Sequence, residues 1–379
     1  MQIPAEASVA NIERALRKVV DEPRGTPLTL PLNLRHLGCG GEAALSQLLI
    51  TWAQQQAPGI LKTYAEKPEQ IEELIRRLPG LTGALCAAIV IGVSEAEDLT
   101  STVRVAALAR LTTLLSEKPN RAYRGSSVEI VCADHLGRNA PYLLYYGEKG
   151  RTPRLRPRPS FALLASWLLR RTVPETYQHN IAPQMADALG SVMFELFKNT
   201  EEHGQVDAFG NIPSVSIRAV KTVHHAIAPE KLAQIVADYP PLEQYCQSLE
   251  AAEGAIQTHL FELSVLDSGP GFAVSQTGKS LAEIGQKEEE AAVRNCFTTF
   301  SAKGGSRFGQ GLPHVMRVLR QERGFLRLRT GRLSIHADFS KDDTGEDSAA
   351  LEVFRSNNEP FAPVAGSLLT VLLPLRKGR

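Results

Sequence analysis

No stretch of this chain strings together the ~20 apolar residues that a bilayer span requires. Its first 25 residues also lack the basic start and apolar run of a secretion signal. Neither a membrane protein nor an exported one is expected, and a cytoplasmic location is. Cysteine is scarce: Cys39, Cys86, Cys132, Cys246 and Cys296 are odd in number, scattered, and never in a CxxC pair. That argues against a disulfide framework and a zinc site, and for a reducing compartment. An excess of one charge sign is missing too. Lys and Arg number 42 against 41 Asp and Glu, a net charge of +1, so no global field points to nucleic acid or a membrane surface. Aromatic residues are few at 6%, yet 43% hydrophobic and 22% charged residues still describe a soluble globular chain.

What is present is length and alternation. A chain of 379 residues suits two domains. Val9 to Val20 carries a short amphipathic pattern. Leu28 to Leu32 and Ile60 to Tyr64 read as strands, with a turn at Gly38 to Gly41 and helical periodicity over Glu42 to Gln55 between them. Ile71 to Leu78 reads as a helix, Ala84 to Val93 is apolar, and Val128 to Val131 and Tyr142 to Tyr146 read as strands. Strands alternating with helices predict a small N-terminal α/β domain over residues 1–150, loosely similar to a STAS-like regulatory module in element order alone. The Gly-Gly pair before a helix reads as a plain turn rather than a phosphate nest. Residues 149–159 are rich in Arg and Pro, and proline at that density blocks helix and sheet. They predict a solvated linker over 151–164.

The second half predicts a long helix from Pro183 to His203, strands at Ser214 to Val220 and Phe261 to Leu266, and polar helical sequence over 222–258. A helix over Leu312 to Arg320 and strands at Phe325 to Arg329, Leu333 to Phe339 and Leu368 to Leu373 follow. Grouped helices and mainly antiparallel strands predict a two-layer α/β sandwich.

Four segments there carry chemistry. Glu195, Asn199 and His203 fall at successive i, i+4 positions and share one helix face. A carboxylate and an amide oxygen in line suit a hard cation and a polarised water; a solvated face is the plain alternative. Asp267-Ser-Gly-Pro-Gly271 follows an apolar strand, where a carboxylate can accept from an exocyclic amine while the glycines admit a flat ring; an ordinary turn has the same spelling. Gly304 to Leu312 is a glycine-rich loop opening a helix, which offers N–H groups and a positive dipole end to phosphate, flanked by Lys303 and Arg307. Gly366 to Pro374 is an apolar terminal strand with a hydroxyl, Ser367, at its start.

In this order the four segments resemble the GHKL superfamily, which includes gyrase-type and MutL-type ATPases, cytosolic chaperones, histidine kinases and anti-sigma kinases. Glu195 to His203 looks like its N-box, E-x-x-x-N-x-x-x-H. Asp267 to Gly271 and Gly309-Gln-Gly-Leu312 look like its two glycine boxes, and Gly366 to Pro374 looks like its closing strand. The resemblance covers residues 165–379 and implies a Bergerat fold with a mixed, mainly antiparallel sheet, ATP and magnesium as ligands, and roles by position. Glu195 would be the general base and Asn199 the magnesium ligand. His203 and Leu312 would line the nucleotide. Asp267 would meet the adenine amine with help from Ser367, and Gly269 and Gly271 would make room for the base. Gly309 and Gly311 would cradle phosphates. Residues 272–308 would form a mobile lid, with Lys303 reaching phosphate. Serine stands at 367 where the family usually has threonine, and 222–258 and 340–365 read as insertions.

Three readings stay open: an ATP-hydrolysing conformational switch, a serine/threonine kinase of the anti-sigma type, and a non-hydrolysing nucleotide sensor. A histidine kinase fits less well, because His135 and His179 sit in loop-like sequence without a phosphoacceptor helix. A protein partner or a homodimer, reached through the N-terminal domain or the lid, is the expected output.

Overall fold

The structure is a computed structural model. It describes residues 1–6, 8–35, 38–94, 96–117, 123, 126–147, 152–207, 210–236, 239–253, 257–298, 310–340, 351–355 and 360–375. The chain opens with α1 (Val9–Asp21), β1 (Leu28–Leu30), α2 (Gly41–Gln55), β2 (Ile60–Thr63), α3 (Pro68–Arg76), α4 (Leu78–Cys86), β3 (Ile89–Gly92) and α5 (Thr100–Leu115). Strands β4 (Ser127–Ala133), β5 (Tyr145–Tyr146) and β6 (Arg154–Leu155) precede α6 (Arg158–Thr172), α7 (Glu175–Gln178) and α8 (Met185–His203). Next come β7 (Ile217–Ile227), α9 (Leu232–Val236), α10 (Pro240–Glu253), β8 (Thr258–Asp267), α11 (Phe272–Thr277) and α12 (Gln286–Cys296). The last elements are α13 (Gly311–Gln321), β9 (Phe325–Gly331), β10 (Leu333–Asp338), β11 (Glu352–Phe354) and β12 (Val364–Pro374).

Two sheets organise these elements into a mixed α/β protein. β1, β2 and β3 form a parallel sheet in that order, with helices crossing between strands as parallel pairing demands. The larger sheet runs β11-β10-β9-β12-β8-β7-β4, and all its described ladders are antiparallel. Its central strands β8 and β12 are buried almost end to end because both sheet faces are covered. On one face, α6 and α8 pack along each other and α13 lies against α8. On the other face, α2 packs on β12 and β8, with α1 beside it, its Glu13 reaching Arg327 and Arg329 of β9.

Helix α2 explains this second cover. It is apolar nearly all round, as a helix buried between layers must be. Its polar members Gln47, Thr51 and Gln54 recur at helical spacing and grip the sheet's backbone. Gln47 Nε2 donates to the Arg329 and Ala365 carbonyls at 3.1 and 3.2 Å. Thr51 Oγ1 accepts from the Ala365 amide at 3.0 Å, and Gln54 Nε2 donates to the Val215 carbonyl at 3.0 Å.

Several expectations change here. The large sheet is the middle of three layers, not half of a two-layer sandwich, because the N-terminal segment supplies its second cover. Residues 127–133, assigned by sequence to the N-terminal domain, pair as β4 with β7 from Ser127↔Val223 to Ala133↔Ile217. A boundary near 150 therefore cuts through a shared sheet. The expected linker 151–164 contains β6 and the start of α6, whose first turn holds Pro159; proline is tolerated there because the first N–H groups have no helical acceptor. The expected strand Tyr142 to Tyr146 shrinks to two residues. The first residues of 222–258 extend β7 to Ile227 rather than forming an insertion.

Candidate functional site

α8 carries the first motif. Leu189, Val192, Met193, Leu196 and Phe197 face the core, and this leaves Glu195 and Asn199 half-buried at the helix edge while His203 is exposed at its end. Among the described residues the Asn199 amide makes no side-chain hydrogen bond, an arrangement that suits a waiting ligand.

β8 and β12 carry the second and fourth motifs, and their register joins them. Ser367 lies opposite Asp267 on one side and opposite Thr330 of β9 on the other. Strand alternation points all three to the α8 face, where Leu263, Val265, Leu369 and Val371 are otherwise apolar. The result is a polar row at one end of a greasy surface. Ser367 and Thr330 share a hydroxyl bond of 3.2 Å, and Thr330 Oγ1 accepts from the Phe272 amide at 3.2 Å. Asp267 Oδ1 accepts from the Gly269 amide at 2.9 Å. Burial pushes the Asp267 carboxyl up to about 6, against the lowering pull of that amide and of the Arg218 guanidinium. A carboxylate so poorly solvated is a strong acceptor for an N–H donor once ionised.

The end of α8 is set against this row by a buried charge network. Arg218 of β7 is fully buried and binds Asp134 at both carboxylate oxygens, 3.0 and 2.9 Å. Its Nη1 also donates to Tyr145 Oη at 3.0 Å and to Glu201 Oε2 at 2.8 Å; Tyr145 in turn donates to Glu201. Glu201 belongs to α8, so the network holds that helix's last turn. Gly204, just past the helix, packs so closely that a Cβ there would come within 2.6 Å of the Asp267 Cβ.

The third motif meets the first from the other end. Gly311 opens α13, whose first turn has no side-chain cap. A Cβ on Gly311 would lie 2.8 Å from Glu195 Oε2, so the carboxylate sits against the exposed N–H end of α13. Leu312 is buried beneath it. Arg158, at the start of α6, approaches Glu195 at 3.7 Å and also contacts His314, and His314 reaches Ser191 on α8 at 3.2 Å. Lys303 and Gly309 lie outside the described residues.

Two sequence-based roles fall where the protein is closely packed. At Gly269 and Gly271 protein segments approach each other. A Cβ on Gly269 would come within 2.7 Å of the His203 carbonyl, and one on Gly271 within 2.8 Å of Thr330 Oγ1. These glycines let protein segments close on each other, and Gly271 further needs its φ of +82°. Of the expected lid, 272–308, residues 299–308 lie outside the described residues, and α12 is tied to the β9–β10 turn. Buried Glu289 accepts from the Arg332 amide at 2.7 Å and its guanidinium at 2.8 Å. Sequence reasoning missed Thr330, Arg218 and Arg158. Thr330 showed a faint signal, a hydroxyl ending an apolar strand as Ser367 begins one; the other two showed none.

Hollows elsewhere in the molecule do not coincide with this site. One is lined by Cys39, Tyr239 and Arg327 and another by Asn33, Glu73 and Arg77. No family model matches this chain, and no curated protein or solved structure matches it.

Proposed function

We propose that this chain binds ATP with magnesium and hydrolyses it, using a GHKL-type site on the α8 face of the large sheet. One observation carries the reading: a single helix meets the α13 motif at one point along its length and the Asp267 motif at its end. Glu195 abuts the α13 N-terminus, and nine residues later Gly204 abuts Asp267. That spacing is about 13 Å of helical rise, long enough to separate a base from a triphosphate. Asp267 and Ser367 take the adenine end through hydrogen bonds. The uncapped N–H groups of α13 take the phosphates. Asn199, half-buried and without a side-chain partner, supplies the oxygen that holds magnesium, and Glu195 orients and deprotonates the attacking water. Phosphoryl transfer needs positioning and charge neutralisation above all, and these groups supply both.

The test is nucleotide binding and phosphate release by the full chain, with no other protein added. Wild type should bind ATP more tightly with magnesium than without. Glu195→Ala should keep ATP affinity while turnover falls about 100-fold or more. Asp267→Asn should weaken ATP binding about tenfold or more, because an acceptor becomes partly a donor. Wild type that ignores magnesium-ATP, or Glu195→Ala that turns over at the wild-type rate, would sink the proposal.

A further inference from the structure

On the opposite face of the sheet, three residues far apart in sequence converge. Cys39 precedes α2, His225 lies on β7 and Glu262 on β8. One ligating atom from each lies within 4.8 Å of the others. All three serve the α2 side: His225 and Glu262 have the strand parity of Lys221 and Ser264, whose side chains point there. From this juxtaposition we infer a binding site for a zinc-like divalent cation, independent of the nucleotide reading.

The chemistry of the set selects the ion. A thiolate, an imidazole and a carboxylate together suit zinc and its stand-in cobalt, whereas magnesium and calcium prefer oxygen alone. Charge balances as well. Binding releases two protons to solvent, the Cys39 thiol proton and the ring proton that His225 holds against Glu262; the thiolate and the Glu262 carboxylate then neutralise a divalent ion, with a neutral imidazole as third ligand. A tetrahedron with bonds of about 2.0 to 2.3 Å sets its ligand atoms more than about 3 Å apart, so the His225 and Glu262 side chains, now hydrogen-bonded to each other, would part to admit the ion.

The surroundings are built to hold these ligands. Cys39 sits in the turn Gly38-Cys39-Gly40-Gly41, where Gly38 and Gly40 take φ of +62° and +74°. A Cβ at Gly38 would fall 2.2 Å from the Ile235 carbonyl oxygen, so only glycine allows this turn to close. The Gly40 amide donates to Glu262 Oε2 at 2.8 Å, Ser264 Oγ donates to Oε1 at 2.8 Å, and His225 Nε2 donates to Oε2 at 2.7 Å. The first two contacts orient the Glu262 ligand from outside the set, whereas the third joins two of the ligands and a metal would take its place. The Gly40 contact also explains why the α2 N-terminus is no phosphate nest: its anion is a side chain of the same molecule. Beside Cys39 lies a small hollow lined also by Tyr239, Arg327 and Thr370, and solvent is the usual fourth ligand of an open three-residue site.

The experiment titrates cobalt(II), then zinc, into the full-length protein stripped of metal with a chelator. One cobalt per chain should produce tetrahedral visible bands and an ultraviolet thiolate-to-cobalt charge-transfer band. Zinc should erase both. Cys39→Ser should lose the charge-transfer band and weaken binding about 100-fold or more, beyond the 10–100-fold typical of losing a second-shell partner. X-ray absorption on zinc-loaded wild type needs no variant to fold: it should report one sulfur at about 2.3 Å and nitrogen or oxygen neighbours at about 2.0 Å. A zinc shell without sulfur, no stoichiometric cobalt binding, or a charge-transfer band that survives in folded Cys39→Ser would overturn the assignment.

Discussion

The two faces of the seven-stranded sheet handle polar groups in different ways. The α2 face is charged along its length, but its charges are closed in pairs. Lys221 lies between Glu42 and Glu129 at 3.0 and 3.3 Å, and Glu13 from α1 holds Arg329 at 2.9 Å. The α8 face carries one closed network as well, Arg218 with Asp134 and Glu201, and beside it Asp267 is buried with its carboxyl pushed up to about 6. Closed charge networks on both faces assemble the molecule. The one mismatched carboxyl, Asp267, marks a place that awaits something, because buried groups held away from their ordinary ionisation cluster at sites of function.

The sharpest way to break this contrast is Arg218→Ala. It leaves the buried Asp134 without its partner and should destabilise the fold by about 3–5 kcal/mol, the typical cost of halving a buried ion pair. Urea unfolding measures it. A loss below about 1 kcal/mol would mean the network is not closed as described. Asp267→Asn should act in the other direction. The folded carboxyl titrates near 6 and the unfolded one near 4. Between those values the folded chain keeps a proton that the unfolded chain has released, so stability declines as pH rises through the window and levels off above it. The total is about 3 kcal/mol. The asparagine variant lacks that decline, so its advantage over wild type should grow from pH 4 to pH 7 even as ATP binding weakens. A constant difference across that range would remove the strained carboxyl. Smallest is Thr370→Val on the α2 face. It deletes one buried hydroxyl bond, to Ser264 at 3.0 Å, and should cost about 1 kcal/mol without touching nucleotide affinity.

How much of this was legible from the chain alone depended on range. α8, β8 and β12 were readable because local periodicity and apolar runs define them. α6 was hidden because Pro157 and Pro159 read as breakers, although proline in the first helical turn is a start signal. α5 was hidden because Val105, Ala106 and Leu108 blur the stripe made by Val103, Ala107, Leu111 and Leu114. Nothing local announces that β4 joins β7, since strand pairing at that distance has no sequence spelling. The same holds for the Cys39, His225 and Glu262 cluster: a rule built on CxxC spacing misses ligands brought together only by a sheet and the helix laid across it. Among the candidate site residues, Glu195, Asp267, Gly311 and Ser367 meet neighbours from the other motifs. At Gly269 and Gly271 spacing cannot say whether a glycine makes room for a ligand or for the protein itself, and the close approaches there are to the protein.

One detail of β12 has a consequence for how the chain tolerates change. Its pairing with β9 slips between Val364 and Ser367, at Gly366, whose φ is +60°. The irregularity acts as an index mark. Extra residues arriving from the 340–363 side alter only the approach to it, whereas one residue inserted after Ser367 would invert every later side chain of the strand, trading Leu369 and Val371 for Thr370 and Leu372 beneath α8. Length variation in this protein should therefore be free on one side of a single glycine and ruinous on the other.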